Sequence, residues 1–154
     1  MKYYSTKTYG HERGLSCAFR QPFADSHCKY IHGYALSFKF TFGCKELDEK
    51  NWVVDFGGLK VLKEWLEKTF DHKTVLDEND PNLHHFHVLE DAGLVQIEIM
   101  DGVGCEKFAE HAFKFADANI KHKTLGRCWV EEVEVKEHGA NGAIIKRSDM
   151  NEYK

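Results

Sequence analysis

The sequence predicts an α+β domain in which an antiparallel sheet carries two amphipathic helices on one face. Three runs predict it. In residues 34–42, Leu36, Phe38, Phe40 and Phe42 share one parity, and Ala35, Ser37, Lys39 and Thr41 share the other. That alternation marks a strand with one buried face. After Gly57-Gly58, Leu59, Leu62 and Leu66 recur at helical spacing, and Trp65 and Phe70 broaden the stripe. From Cys105 to about Lys121, Phe108, Ala109, Ala112, Phe113, Ala116 and Ile120 do the same. One sheet with both helices on one side is the simplest way to cover all three apolar faces.

The remaining elements follow in chain order. Residues 15–21 (LSCAFRQ) form a partner strand with short alternation, and residues 52–56 (WVVDF) are a third extended stretch leading into the first helix. Residues 77–82 (DENDPN) read as a surface turn. Residues 82–90 form a short helical turn, and Val95, Ile97 and Ile99 alternate as a strand. In the last strand, RCWVEEVEVKEH, Val133, Val135 and Glu137 share a parity with which Val130 is out of phase. A bulge between Val130 and Glu132 reconciles them.

A chain of 154 residues is one domain, residues 1–154. Its 42% hydrophobic content supports a core, and a net charge of −4 gives no reason to expect a nucleic-acid or anionic-membrane partner. No apolar run reaches the ~20 residues of a membrane span, and the polar, aromatic opening is no secretory signal. Five cysteines without a CxxC pair argue against a disulfide framework and a zinc ribbon, and for a reducing cytoplasm.

Four features could carry chemistry. Cys28, four residues before His32-Gly33, is either a nucleophile or base, or the inert buried thiol that free cysteine usually is. Asp71-His72 is either a carboxylate orienting an imidazole for proton transfer or an ordinary helix exit. Glu137, on the apolar parity, could accept two parallel N–H bonds from an aminopyrimidine edge, or stand in water at a strand end. His84 and His87 could share a helical face but lack a motif to complete a metal site, so a solvated surface is the better reading.

Taken together these residues resemble one family. C-x-x-x-H-G at Cys28, V-V-D-F-G-G-L-K with Asp55, Phe56 and Gly57, D-H-K at Asp71, C-E-K-F-A at Cys105 and V-E-V-K-E ending at Glu137 are similar to the 6-pyruvoyl- and 6-carboxy-tetrahydropterin synthases. The resemblance implies a T-fold: a four-stranded antiparallel sheet with two helices on one face. Subunits would join edge to edge into a barrel as a homo-oligomer, a trimer or a hexamer of two stacked trimers, with sites between subunits. It implies that Cys28, Asp71 and His72 are catalytic, that Glu137 anchors the pterin and that Glu106 is the acid of the family's T-A-E-N segment.

The resemblance also implies zinc on three histidines. Those positions are Phe19, His32 and Tyr34 here, so only His32 is retained. The Thr of T-A-E-N is missing too, since the local sequence is Gly104-Cys105-Glu106-Lys107. Three explanations stay open: a rearranged metal set of His32 with Cys17, His27 or His11; a reaction without metal; or a retained pterin pocket with altered chemistry. Arg20, Gln21 and the Tyr34 hydroxyl are the hydrogen-bond donors at hand as substitutes. The activity implied is a 6-carboxy-tetrahydropterin synthase-like lyase acting on 7,8-dihydroneopterin triphosphate in the queuosine pathway, with no redox cofactor. The alternatives are 6-pyruvoyl-tetrahydropterin synthase activity and a non-catalytic pterin-binding protein.

Overall fold

The computed structural model describes residues 1–153. Seven strands and three α-helices follow in the order β1 (Tyr3–Tyr9), β2 (Leu15–Phe19), β3 (His32–Cys44), α1 (Lys60–Phe70), β4 (Lys73–Asp77), α2 (Leu83–Asp91), β5 (Ile97–Met100), α3 (Cys105–Lys123), β6 (Cys128–His138) and β7 (Asn141–Lys146). The sheet runs β5-β4-β2-β3-β6-β7, and β1 pairs with β3 beyond the end of β2.

Three of the four expected strands form the antiparallel run β2-β3-β6, but the one expected at Val95, Ile97 and Ile99 is β5, outside that run, and β7, not expected from the sequence, is the fourth antiparallel member. The sheet is nevertheless mixed, because β4 adds to β2, and β5 to β4, in parallel. The 13-residue β3 is the spine: its first half pairs with β2, its second half with β1, and its other edge with β6. The expected bulge is there. Thr41 faces Glu132 and Phe42 faces Val130, which leaves Glu131 as the extra residue. With that insertion Val130, Val133 and Val135 all reach the buried face.

The core lies between that face and α1 and α3. Leu36, Phe38, Phe40 and Phe42 of β3 meet Leu62, Leu66 and Phe70 of α1 and Phe108, Ala112 and Phe113 of α3. Phe70 packs on Phe38 at 4.9 Å and edge-on to Phe108 at 5.2 Å. Each fully buried Phe or Leu contributes about 1.5–3 kcal/mol by removal from water. The helix expected at residues 82–90 is real, as α2, but buries no residue, and His84 and His87 are exposed on it.

Two expectations are corrected. Residues 52–56 form no strand, because Arg127 binds the carbonyls of Glu46 and Val53 at 2.9 Å each and folds the segment into a loop that buries both Val53 and Val54. The turn at residues 77–82 is a turn, but Asp80 within it is buried beneath Arg20.

Candidate active site

The site forms where the core face of the sheet runs out past the N-terminus of α3. Phe19 of β2 stands opposite His32 of β3, and Tyr34 lies two residues further on the same face. Their rings converge: Phe19 to His32 is 5.1 Å between centroids, His32 to Tyr34 is 5.6 Å and Phe19 to Tyr34 is 6.1 Å. Gly33 makes the close strand pairing possible, since a Cβ there would sit 2.5 Å from the Cys17 carbonyl oxygen. Phe108 of α3 closes the cluster from above, edge-on to Phe19 at 5.2 Å.

Glu137 lies two residues beyond Val135 on β6, at the irregularity between Lys136 and His138, and is half-buried. The Tyr34 phenol is raised above its ordinary value by burial first, then by the charge of Glu137 and the nearness of Cys28. Cys105, the first residue of α3, also neighbours Glu137 and Tyr34. Burial pushes its thiol up to about 12, and the Glu137 and Glu106 carboxylates add to the rise. Cys28, Tyr34, Cys105, Glu106 and Glu137 therefore share one electrostatic neighbourhood. Glu106 is exposed in the first turn of α3, where a carboxylate complements the helix dipole. The preceding Gly104 has φ 106°, and a Cβ there would lie 2.7 Å from Gln21 Nε2.

Cys28 is carried by a strap from Arg20 to Ile31. Gln21 N–H donates to the Cys28 carbonyl at 2.9 Å, and Cys28 N–H donates to Ser26 Oγ at 3.3 Å. Arg20 fastens the strap: its Nε donates to Asp80 at 2.8 Å, a second guanidinium nitrogen donates to the same carboxylate at 3.1 Å, and a third reaches the Lys29 carbonyl at 2.8 Å. Gln21 Nε2 donates to the Val103 carbonyl at 2.9 Å. Two of the three donors named as substitutes for a metal, Arg20 and Gln21, thus hold the scaffold. Asp80 was missed by sequence reasoning. Its signal was faint: an Asp-Pro in an acidic turn, 60 residues from its partner.

Asp71 and His72 form a dyad, with His72 Nδ1 2.8 Å from Asp71 Oδ1. Ser16 N–H donates to the same carboxylate at 3.3 Å, and His72 N–H donates to the Ser16 carbonyl at 2.7 Å. His72 adopts φ 56°, the bend that turns α1 into β4. With Nδ1 on the carboxylate, Nε2 is the ring nitrogen available for proton exchange, and the side chain is 78% exposed. The dyad sits at the start of β2, whereas the Cys28 strap is bonded just beyond its end, at Gln21. Ser16 and Gln21 are five residues apart, roughly 16 Å along an extended strand, so the two groups are anchored at opposite ends of β2.

The donors do not fit a three-histidine metal site. The three positions converge, but Phe19 has no donor atom and Tyr34 offers a protonated phenol. Cys17 is buried with its thiol pushed up to about 12, unsuited to the thiolate a metal requires, and His11 Nδ1 is bonded to the Ala35 carbonyl. Among the described residues no group of three or more His, Cys, Asp or Glu could hold a metal ion. A cavity of about 450 Å³ lies beside β1, lined by Tyr3, Tyr4, Trp52 and Phe56 among others, and contains none of the predicted site residues.

Comparison with known proteins decides the family. The model of the 6-pyruvoyl tetrahydropterin synthase family matches residues 10–148. The chain belongs to that family. A 6-carboxy-5,6,7,8-tetrahydropterin synthase from Rickettsia bellii is 39% identical over 57 residues, 36% of this chain and 41% of the relative. One from Aquifex aeolicus is 32% identical over 74 residues, 48% of this chain and 43% of the relative. The chain thus spans under half the length of these curated relatives. Among solved structures, an uncharacterized protein from Wolinella succinogenes aligns with TM-score 0.79 at 17% identity, covering 95% of this chain and 98% of that one. A catalytic-residue mutant of the Plasmodium vivax 6-pyruvoyltetrahydropterin synthase aligns with TM-score 0.68 at 16% identity, covering 94% and 97%. The family members thus share the α+β T-fold. No helix among the described residues is long and apolar enough to cross a membrane.

Proposed function

We propose that the chain is a lyase of the 6-carboxy-tetrahydropterin synthase type, acting on 7,8-dihydroneopterin triphosphate in the cytoplasm on the way to queuosine. The observation that carries this reading is the gathering of Cys28, Tyr34, Glu106 and Glu137 in one neighbourhood, with the Asp71-His72 dyad anchored at the other end of β2. The names of the curated relatives support it.

Each residue has a task in that chemistry. Glu137, beside Tyr34 and Cys105, accepts two N–H bonds from the aminopyrimidine edge of the pterin. Cys28 takes or gives a proton at the substrate side chain. His72 exchanges protons through Nε2, and Asp71 fixes its tautomer and stabilises the imidazolium. Because Cys28 and His72 lie at opposite ends of β2, the working site pairs Cys28 of one subunit with the dyad of another. Among the described residues the outer edges of β1, β5 and β7 are unpaired, and joining β1 to β7 between copies would close a barrel and cover those two edges. A trimer or a hexamer is the resulting assembly.

A second reading has its own observation. The residues at positions 19, 32 and 34 do not form a metal site, which favours a pterin-binding protein without turnover. Incubation with dihydroneopterin triphosphate followed by mass spectrometry separates the outcomes. Loss of acetaldehyde and triphosphate identifies the 6-carboxy activity, elimination of triphosphate alone identifies the 6-pyruvoyl activity, and unchanged bound substrate identifies the binder.

A further inference from the structure

A second hollow, of about 230 Å³, opens between β1, the turn His11–Arg13 and the start of α1. Its wall includes Lys7, Arg13, Lys60 and Lys63 and no carboxylate. The chain has net charge −4, so four cations round one hollow run against its average. Lys7 and Tyr9 share a face of β1, and the buried Tyr9 forms the floor. Lys7 Nζ lies 5.6 Å from the centre of the Tyr9 ring and 5.9 Å from that of Phe56, and Arg13 Cζ lies 5.7 Å from Tyr9. Aromatic faces hold these cations in place without neutralising them.

Among the described residues, neither Lys7 nor Arg13 has a carboxylate partner. Lys60 and Lys63 face Glu64 and Glu67 one turn on at 3.7 and 3.8 Å, exposed pairs that bind little and release easily. The helix end adds to the field. The first bond of α1 is Lys63 N–H to the Leu59 carbonyl, the cap residue Leu59 supplies no side-chain acceptor, and the first turn carries no acid. The donors ahead of that bond, on Lys60, Val61 and Leu62, lack helical acceptors, while Gly57 N–H is taken by the Asp55 carboxylate and Leu59 N–H by the Phe56 carbonyl; Lys60 brings this end to the wall of the hollow.

We propose that this hollow is a polyphosphate-anion site, in which Lys7, Arg13, Lys60 and Lys63 and the uncapped start of α1 receive a chain of linked phosphates. The hollow is below the roughly 300 Å³ at which small-molecule pockets begin, so it suits a phosphate chain and not a pterin ring. Two sources share this chemistry: the triphosphate tail of the substrate proposed above, or a free polyphosphate. The first rests on the pterin reading; the site itself does not. Its position suits the tail, since Arg13 is three residues from Ser16, on which the Asp71-His72 dyad is seated.

Titration calorimetry with inorganic tripolyphosphate tests the site on the intact protein. Wild type is expected to bind, and Lys7→Ala and Lys63→Ala, both at the surface, to bind roughly tenfold more weakly each, with an affinity that falls as salt rises. No binding by wild type, or unchanged affinity in both variants, would overturn the proposal. A second arm compares dihydroneopterin triphosphate with dihydroneopterin. If the tail is the occupant, the triphosphate form binds tighter and Lys7→Ala shrinks that gap. If the variant abolishes tripolyphosphate binding and leaves the gap intact, the site serves a free polyphosphate. Binding of tripolyphosphate without either pterin would refute the pterin reading and keep the anion site.

Discussion

Asp80→Asn is the sharpest test of how the Cys28 strap is held. Asp80 has a fully buried side chain, and the Arg20 guanidinium paired with it is 15% exposed. The carboxylate accepts two bonds from Arg20 and one from Asn82 N–H, all within 3.1 Å. Removing the charge leaves a guanidinium facing an amide that donates as well as accepts. Breaking one side of a buried pair costs about 3–5 kcal/mol, and the partial exposure of Arg20 brings the expected loss to about 2–3 kcal/mol. For a domain of this size that lowers Tm by about 5–10 °C, measured at fixed protein concentration because assembly shifts Tm. The local effect is larger than the global one. Cys28 is the half-buried thiol while Cys17, Cys44, Cys105 and Cys128 are buried, so a thiol reagent reads the strap directly, and labelling of Cys28 is expected to accelerate. The pH dependence has a definite sign. Burial alone would raise the Asp80 pKa, but the Arg20 and Asn82 bonds outweigh it and hold the carboxyl below its ordinary value. The pair therefore stabilises the fold above the unfolded pKa of about 3.9 and is lost as pH falls through the lower folded value. An unchanged Tm together with unchanged labelling would refute this account of the strap.

Three further outcomes follow from the site. Cys28→Ala is expected to lower turnover of dihydroneopterin triphosphate by about 10²–10⁴-fold while pterin binding persists; wild-type turnover would make the thiol structural. Glu137→Gln is expected to weaken pterin binding roughly tenfold, because one acceptor becomes a donor facing a donor; equal affinity by fluorescence titration would remove Glu137 as the anchor. Mixing Cys28→Ala and His72→Ala subunits, each inactive alone, is expected to restore part of the activity if, as proposed, the two groups, whose anchors lie roughly 16 Å apart along β2, meet across a subunit boundary. A sedimenting monomer, or no recovery after proven subunit exchange, would exclude the shared site.

How legible each element was depends on how many of its faces are buried. β3 and the two long helices each bury one face, so their periodicity stood out. β4 did not, because Thr74, Val75 and Leu76 are all buried in a parallel strand of five residues and show no alternation. β1 and β7 are edge strands whose side chains are largely exposed, with Tyr4 and Ile144 turned to solvent. Residues 52–56 misled for the opposite reason: two adjacent valines are apolar enough for a strand, but Arg127 claims the carbonyls that a ladder would use. Cys28, Asp71 and Glu137 were singled out by the family spacing alone, and their roles remain a proposal. The Arg20–Asp80 fork was not, since nothing local in either residue specifies a partner 60 positions away.

The metal positions separate geometry from chemistry most cleanly. Three imidazoles on a tetrahedral ion with Zn–N bonds of about 2.0–2.1 Å place their ring centres about 5.2 Å apart. Phe19, His32 and Tyr34 already hold their rings 5.1, 5.6 and 6.1 Å apart on one sheet face. The backbone therefore supplies the arrangement, and only the side chains at positions 19 and 34 withhold the ligands. Phe19→His with Tyr34→His is expected to create a zinc site. Without metal the double variant should be less stable, because an imidazole at the buried position 19 loses the packing of Phe19 against Phe108. Added zinc should raise its Tm in a concentration-dependent way, and His32→Ala in the same background should abolish that rise. Elemental analysis of untagged wild type is the companion measurement, with no stoichiometric zinc expected; one zinc per subunit, lost on His32→Ala, would establish a rearranged ligand set. Failure of the double variant to gain any zinc-dependent stability would show that ring convergence on this face is a property of packing alone, and not a retained metal geometry.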